Sequence, residues 1–247
     1  MTANSESGAS AEAAQALARL EASLRDCRGC PLCEGRTQVV FGAGDAQADL
    51  MFVGEGPGFN EDKQGEPFVG QAGKLLTELL EEVGLTRQEV YIGNVVKCRP
   101  PENRDPAPQE IEACSPFLMQ QISIIRPRVI CTLGRFATRL LAETEQSMTA
   151  VHGKAKQVRL AGVDTLIFPV FHPAAALYAR TNRDVLVDDF AKLRVLLQRG
   201  IEALNEAGGR SIESEQSPAA DVWPGNTSTG GGTREERAQP TEQLPLW

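Results

Sequence analysis

No uninterrupted apolar run in this chain approaches the ~18–20 residues that a membrane-crossing helix needs, so a membrane-spanning protein is not expected. The opening residues, MTANSESGASAEAAQ, carry neither a positive region nor an apolar stretch. No secretory signal is therefore expected, and the expected location is cytoplasmic. Histidine is nearly missing, with two in 247 residues, so imidazole chemistry is confined to His152 or His172. Positive charge is in deficit: 25 Lys and Arg face 33 Asp and Glu, a net of -8. Spread evenly, that balance would disfavour a polyanion such as DNA. With 41% hydrophobic and 23% charged residues, the composition is that of a globular chain, neither wholly disordered nor collagen-like.

The charge is not spread evenly. Residues 203–247 are rich in Gly, Ser, Thr, Pro, Gln and Glu and hold seven acids against three arginines, a net of -4. Such text cannot bury enough apolar surface to offset its ordering entropy, so it is expected to be a disordered tail. Residues 1–13 add Glu6 and Glu12 and are also expected to be disordered. Removing both ends leaves residues 14–202 with a net charge of only -2. This nearly neutral domain has local cation clusters at Lys97/Arg99/Arg104, Lys154/Lys156/Arg159 and Arg180/Arg183. Taken singly, each cluster reads as ordinary solvated surface.

Within 14–202, short apolar runs alternate with helical periodicity. Residues 49–53 (DLMFV), 90–95 (VYIGNV), 128–133 (RVICTL) and 165–171 (TLIFPVF) read as buried parallel strands. Residues 14–25, 73–83, 109–125, 135–142 and 184–204 read as helices, the second with a stripe of Leu75, Leu76, Leu79, Leu80 and Val83. The alternation predicts a three-layer α/β/α sandwich with a mainly parallel, four-stranded central sheet. Ligands of such sheets bind at the carboxyl ends of the strands. Three strands end in conspicuous text there: GEGPG at 54–58, Asn94 followed by Lys97-Cys98-Arg99-Pro100-Pro101, and His172-Pro173-Ala174.

Of six cysteines, Cys131 sits inside an apolar strand and reads as a small core residue. Without an export signal, disulfides are not expected. Cys27, Cys30 and Cys33 form C-x-x-C-x-x-C, and Cys98 and Cys114 flank a proline-rich loop. Two such pairs can close a four-thiolate set, and spacing alone does not separate zinc from a [4Fe–4S] cluster.

The strand ends offer a tightly turning backbone beside Glu55, the donor–acceptor amide of Asn94, the ring of Phe68 and the imidazole of His172. Each alone is commonplace. Together they supply polar edges and a ring face, which a flat heterocyclic base requires. The matches continue through Cys27-x-x-Cys30, Glu34-Gly35-Arg36-Thr37, Val40-Phe41-Gly42, GEGPG with Glu61-Asp62, Pro67-Phe68-Val69-Gly70, Tyr91 to Pro101, Asn103-Arg104, Cys114 and Phe171-His172-Pro173-Ala174. In these motifs, from Cys27 to Leu197, the chain resembles the iron–sulfur uracil-DNA glycosylases known as family 4.

The resemblance implies removal of uracil from DNA to leave an abasic site, the first step of base excision repair. It implies a [4Fe–4S] cluster on Cys27, Cys30, Cys98 and Cys114, with Cys33 a spare or an alternative to Cys30. It implies that Phe68 stacks on the base, Asn94 reads its polar edge and the Gly54, Glu55 and Gly56 backbone contacts it. His172 would stabilise the uracil anion, and Glu55 or Glu61 would position the attacking water, since Gly56 stands where better-known uracil glycosylases carry aspartate. The loop PENRDPAPQE holds no histidine, against a related branch that bonds a histidine to the sugar. Arg99, Arg104, Arg180 and Arg183 would contact phosphates, Leu177 would wedge into the DNA, and a monomer is expected. The final residues Gln243, Leu244, Leu246 and Trp247 resemble the peptide by which bacterial repair proteins dock on the replicative sliding clamp. That would place the protein at the bacterial nucleoid. Two rival readings are a non-catalytic iron–sulfur nucleic-acid binder and a glycosylase for another deaminated base.

Overall fold

The computed structural model describes residues 3–177 and 179–206. In chain order the elements are α1 (Ala3–Leu24), α2 (Leu32–Gly35), β1 (Ala43–Gly44), β2 (Leu50–Gly54), α3 (Phe59–Gln64), α4 (Gln71–Glu82), β3 (Tyr91–Asn94), α5 (Pro108–Ile125), β4 (Val129–Leu133), α6 (Arg135–Ala142), α7 (Met148–Val151), β5 (Lys156–Leu160), β6 (Val163–Val170) and α8 (Arg180–Glu206). Single 3-10 turns occupy Pro101–Asn103 and Pro173–Ala176.

The sheet order is β1-β3-β2-β4-β6-β5. The four expected strands are present and pair in parallel, β2 with β3 and β4, and β4 with β6. Every residue of β2, β3 and β4 is buried, as strands covered on both faces must be. Leu50 and Phe52 of β2 join the layer of α4 and α8, whereas Met51 and Val53 join that of α1, α5 and α6. The three-layer α/β/α sandwich is thus as expected.

The strand count is corrected from four to six. Both additions are antiparallel edges. β5 reads KQVRL, whose polar residues alternate outward, so it lacks the apolar run of a central strand. It is joined to β6 by the two-residue turn Ala161-Gly162, both with positive φ (48° and 78°). That is the backbone of a type I′ hairpin, whose twist matches the strands it joins. β1 has only two residues, too few to leave a periodic signal.

At the N-terminus α1 begins at Ala3, where the sequence suggested disorder through residue 13. Its Leu17, Leu20 and Leu24 pack into the α5 side of the core. Residues 207–247, the bulk of the expected tail, lie outside the described part. α5 starts with Pro108 at its first turn, and the Ala107 amide donates to Glu110 Oε2 at 2.7 Å, which caps it.

The chain leaves β2 for β3 through α4 on one face and leaves β3 for β4 through α5 on the other. The carboxyl end of β2 is therefore where the connections diverge, the usual ligand crevice of an open α/β sheet. Phe52 is fully buried in the centre, its ring stacked on Phe190 at 5.8 Å between centroids. Phe52→Ala is expected to cost about 3–5 kcal/mol, read as a lower urea midpoint at unchanged slope.

Candidate active site

Gly54 and Asn94 are register partners at the carboxyl ends of β2 and β3. A Cβ on Gly54 would lie 2.5 Å from Asn94 Oδ1 and 2.6 Å from Phe68 Cζ. Only glycine allows the amide and the ring to close on the strand end together. Asn94 is buried, and its Oδ1 has no hydrogen-bond partner within the protein. A buried acceptor left open costs roughly 1–3 kcal/mol and points to a ligand that donates to it.

Phe68 occupies the left-handed region at φ 54°, unfavourable for a residue with a Cβ. Glu61 holds it there. Its Oε1 accepts from the Val69 amide at 2.9 Å and the Gly70 amide at 2.8 Å, pinning the two residues after Phe68 to α3. Gly73 adds a second close approach, since a Cβ there would lie 1.8 Å from Phe68 O. The Phe68 ring meets the His172 ring at 5.7 Å between centroids and 31° between planes.

His172 precedes the Pro173–Ala176 turn, and its Nδ1 accepts from the Ala174 amide at 3.2 Å. Burial lowers its pKa to about 4, with the Glu61 carboxylate opposing that shift. The imidazole is neutral at physiological pH, and with Nδ1 occupied as acceptor its proton resides on Nε2. The result is a fixed neutral N–H donor beside Phe68. Glu55, next to Gly54, has its pKa raised to about 7, first by burial and then by Asp105, while Arg135 opposes. Asp105 and Arg135 are themselves paired across the mouth.

The structure thus brings Gly54, Glu55, Gly56, Glu61, Phe68, Asn94 and His172 to one sheet edge. Gly56 stands close to Val96, where a Cβ would meet its Cγ2 at 2.7 Å. Sequence reasoning did not separate Glu55 from Glu61. The two environments differ: one carboxylate is bonded to backbone amides, the other is half-buried with its pKa raised.

Five cysteines, Cys27, Cys30, Cys33, Cys98 and Cys114, wall a single cavity, and Cys131 is buried in β4 as expected. The Gly29 amide donates to Cys27 Sγ at 3.5 Å, the Lys97 amide to Cys114 Sγ at 3.2 Å and Arg36 Nη1 to Cys98 Sγ at 3.4 Å. Donors aimed at sulfur suit thiolates that carry charge. Among the described residues, no three His, Cys, Asp or Glu side chains converge as they would on a single ion. The cysteine set is compatible with a metal cluster.

Lys97 is corrected from surface cation to buried residue, 1% exposed. Its Nζ donates to Asn94 O at 2.9 Å and Gln121 Oε1 at 2.5 Å, which offsets the loss of water. Gln121 Nε2 in turn donates to Phe41 O and Tyr91 Oη, each at 3.0 Å. No sequence signal announced Gln121, because a glutamine on α5 reads as solvated.

Two of the four arginines expected to contact phosphates are paired with carboxylates. Arg104 forks onto Glu110 at 2.7 and 2.8 Å, and Arg183 pairs with Glu78 at 3.0 Å. Arg99 donates through Nε to Asn103 Oδ1 at 2.7 Å. Arg180 is exposed at the start of α8, and Leu177 is 38% exposed after the His172 turn. Gln243, Leu244, Leu246 and Trp247 lie outside the described residues. Among the described residues no helix is long and apolar enough to cross a membrane.

The family model for the Uracil DNA glycosylase superfamily matches residues 41–194, from before β2 to within α8. The chain belongs to the uracil-DNA glycosylase superfamily. It is 49% identical to a type-4 uracil-DNA glycosylase of Sulfurisphaera tokodaii over 185 residues, 73% of this chain and 84% of that one. It is also 49% identical over 179 residues to one of Saccharolobus solfataricus, covering 70% and 83%. A third, of Thermotoga maritima, is 45% identical over 183 residues, covering 71% and 92%. The superfamily match holds Gly54, Phe68, Asn94 and His172 and starts after Cys27, Cys30 and Cys33.

The His172 environment has a pH consequence. Below its ordinary value of 6.5 the unfolded chain takes up a proton that the folded site refuses down to about pH 4. Stability is therefore expected to fall as pH drops through that window, by an increment missing in His172→Gln. An NMR titration should find the His172 ring neutral at pH 5.5; a midpoint near 6.5 would contradict the burial argument.

Proposed function

We propose that this protein is a monofunctional uracil-DNA glycosylase that hydrolyses the bond between uracil and deoxyribose, starting base excision repair. The observation that carries the proposal is the open acceptor of buried Asn94 beside the Phe68 ring and the Nε2–H of neutral His172. Uracil turned out of the stack lies on Phe68 and donates its N3–H to Asn94 Oδ1. The Gly54–Gly56 backbone lines its other edge.

As the N1–C1′ bond breaks, its electron pair stays on uracil, and His172 Nε2–H donates to the developing anion. A neutral donor loses no proton and strengthens its bond as charge grows. The sugar is left cation-like, and water attacks C1′. Glu55 is the base that orients this water and takes its proton, because its carboxylate is not consumed by backbone donors. Glu61 acts through Phe68, holding its backbone in place. A wall at the C5 position of the base, at the backbone of the Gly58-Phe59 turn, excludes thymine.

Cys27, Cys30, Cys98 and Cys114 would hold a [4Fe–4S] cluster, with Cys33 on the same cavity wall as a fifth thiol. Held there, such a cluster would tie the Cys27–Cys30 segment to the β3–α5 loop at Cys98 and to α5 at Cys114. Arg99, Arg104, Arg180 and Arg183 meet phosphates, Arg104 and Arg183 after exchanging carboxylate partners, and Leu177 enters the gap in the DNA. The protein acts as a monomer in the cytoplasm, at the nucleoid. Gln243, Leu244, Leu246 and Trp247 dock it on the replicative sliding clamp, an arrangement supported by their motif alone.

Incubation with a single-uracil oligonucleotide followed by alkali is expected to break the strand at the uracil. Intact, brown protein that leaves the strand whole would overturn the proposal. Asn94→Ala and His172→Ala should each lose roughly 10²–10³-fold in kcat. Since the carboxylate form of Glu55 is the active one, kcat/KM should rise with pH through about 7, and Glu55→Gln should lack that limb. Purified protein should absorb in the visible region and bleach with loss of iron; colourless protein with stoichiometric zinc would refute the cluster.

A further inference from the structure

We propose that Phe59, Lys63 and Arg99 form a second nucleotide-binding step beside the base pocket, taking an unpaired nucleotide that flanks the uracil. The inference rests on the uracil-DNA reading above and adds to it a surface that engages single-stranded DNA. Phe59 is 48% exposed, the most exposed large apolar side chain among those described. It is the first residue of α3 and follows the GEGPG turn directly. Nothing in the fold requires an aromatic ring in water there.

Two cations are gathered on that ring. Lys63, one helical turn later, places Nζ 4.6 Å from the ring centroid, and Arg99 places its guanidinium carbon at 5.1 Å. Arg99 is steadied by its Nε bond to Asn103, which leaves its terminal nitrogens for an anion. Among the described residues neither Lys63 nor Arg99 forms an ion pair, whereas Arg104, Arg135 and Arg183 each have a carboxylate. A flat ring with a guanidinium against it, carrying two uncompensated charges, has the chemistry of a single-strand platform: a base stacks while its phosphate is held.

The position ties this platform to the pocket. Glu61, two residues after Phe59 on the same short helix, pins the backbone beyond Phe68. Arg99 follows Cys98 on the segment that leaves β3, the strand that carries Asn94. A base inside a duplex is already stacked on both faces, so the platform rewards a nucleotide whose neighbour has been flipped or which was never paired. Its contribution is therefore largest on single strands.

The test uses the full holo-protein with two readouts. The first is fluorescence anisotropy with a uracil-free oligothymidylate, which needs no excision. Phe59→Ala is expected to weaken binding by about tenfold, and Phe59→Trp to restore it. Lys63→Gln should reduce the slope of log affinity against log salt by about 0.7. The second is excision from single-stranded and duplex uracil substrates, where the loss in Phe59→Ala should fall in KM and be larger for the single strand. Urea midpoints equal to wild type will show that the exposed ring was not holding the fold. Unchanged oligothymidylate affinity in Phe59→Ala would overturn the platform even if uracil is excised. Failure of the wild type to excise uracil, with the binding loss intact, would instead overturn the enzymatic reading.

Discussion

The site depends on one close approach: two strand ends meet where one residue has no side chain. Gly54 and Asn94 are paired in the parallel register of β2 and β3. The absent Cβ is what lets Asn94 Oδ1 and the Phe68 ring occupy the same corner. Any larger residue at 54 would push both outward and open the corner. Two conditions keep the approach productive. Glu61 clamps the amides beyond Phe68, so a left-handed backbone conformation persists. The Ala174 amide fixes the His172 tautomer, so its free N–H is at Nε2 of a ring that lies against Phe68. Each is a local arrangement, and together they make a preorganised set of one acceptor, one donor and one ring.

Lys97 links this corner to the cysteine cavity. Its side chain binds the Asn94 carbonyl, and its own amide donates to Cys114 Sγ. Among the described residues no carboxylate pairs with the buried ammonium; it is solvated by Asn94 O, Gln121 Oε1 and the nearby Phe41 ring. One residue thereby joins the end of β3 to Cys114 of α5.

Much of the architecture was legible in the chain. DLMFV and RVICTL read as buried strands because both faces of a central strand must be apolar, and the Leu75–Leu80 stripe announced α4. β1 and β5 escaped notice because edge strands need no such pattern. Ala161-Gly162 was the one available clue to β5, since a two-residue turn with positive φ closes a hairpin. The residues of the mouth were named from the strand ends, but their roles were not. Glu55 and Glu61 are equivalent on paper and opposite in space. Lys97 looked like surface because its partners, Asn94 O and Gln121, are brought to it only by the packing of β3 on α5. The exposure of Phe59 was not legible, for a phenylalanine after a glycine turn ordinarily enters the core.

What the sequence by itself determined is the layered α/β order, the set of residues at the strand ends and the grouping of the cysteines. These follow from periodicity and from residue chemistry, which act locally along the chain. What only the tertiary structure decided is which groups are left without partners: the open Asn94 acceptor, the neutral His172 donor, the raised Glu55 carboxyl and the two cations on Phe59. Hydrogen bonding and burial are assigned by neighbours distant in sequence, so the protonation and availability of a side chain cannot be read from its own segment.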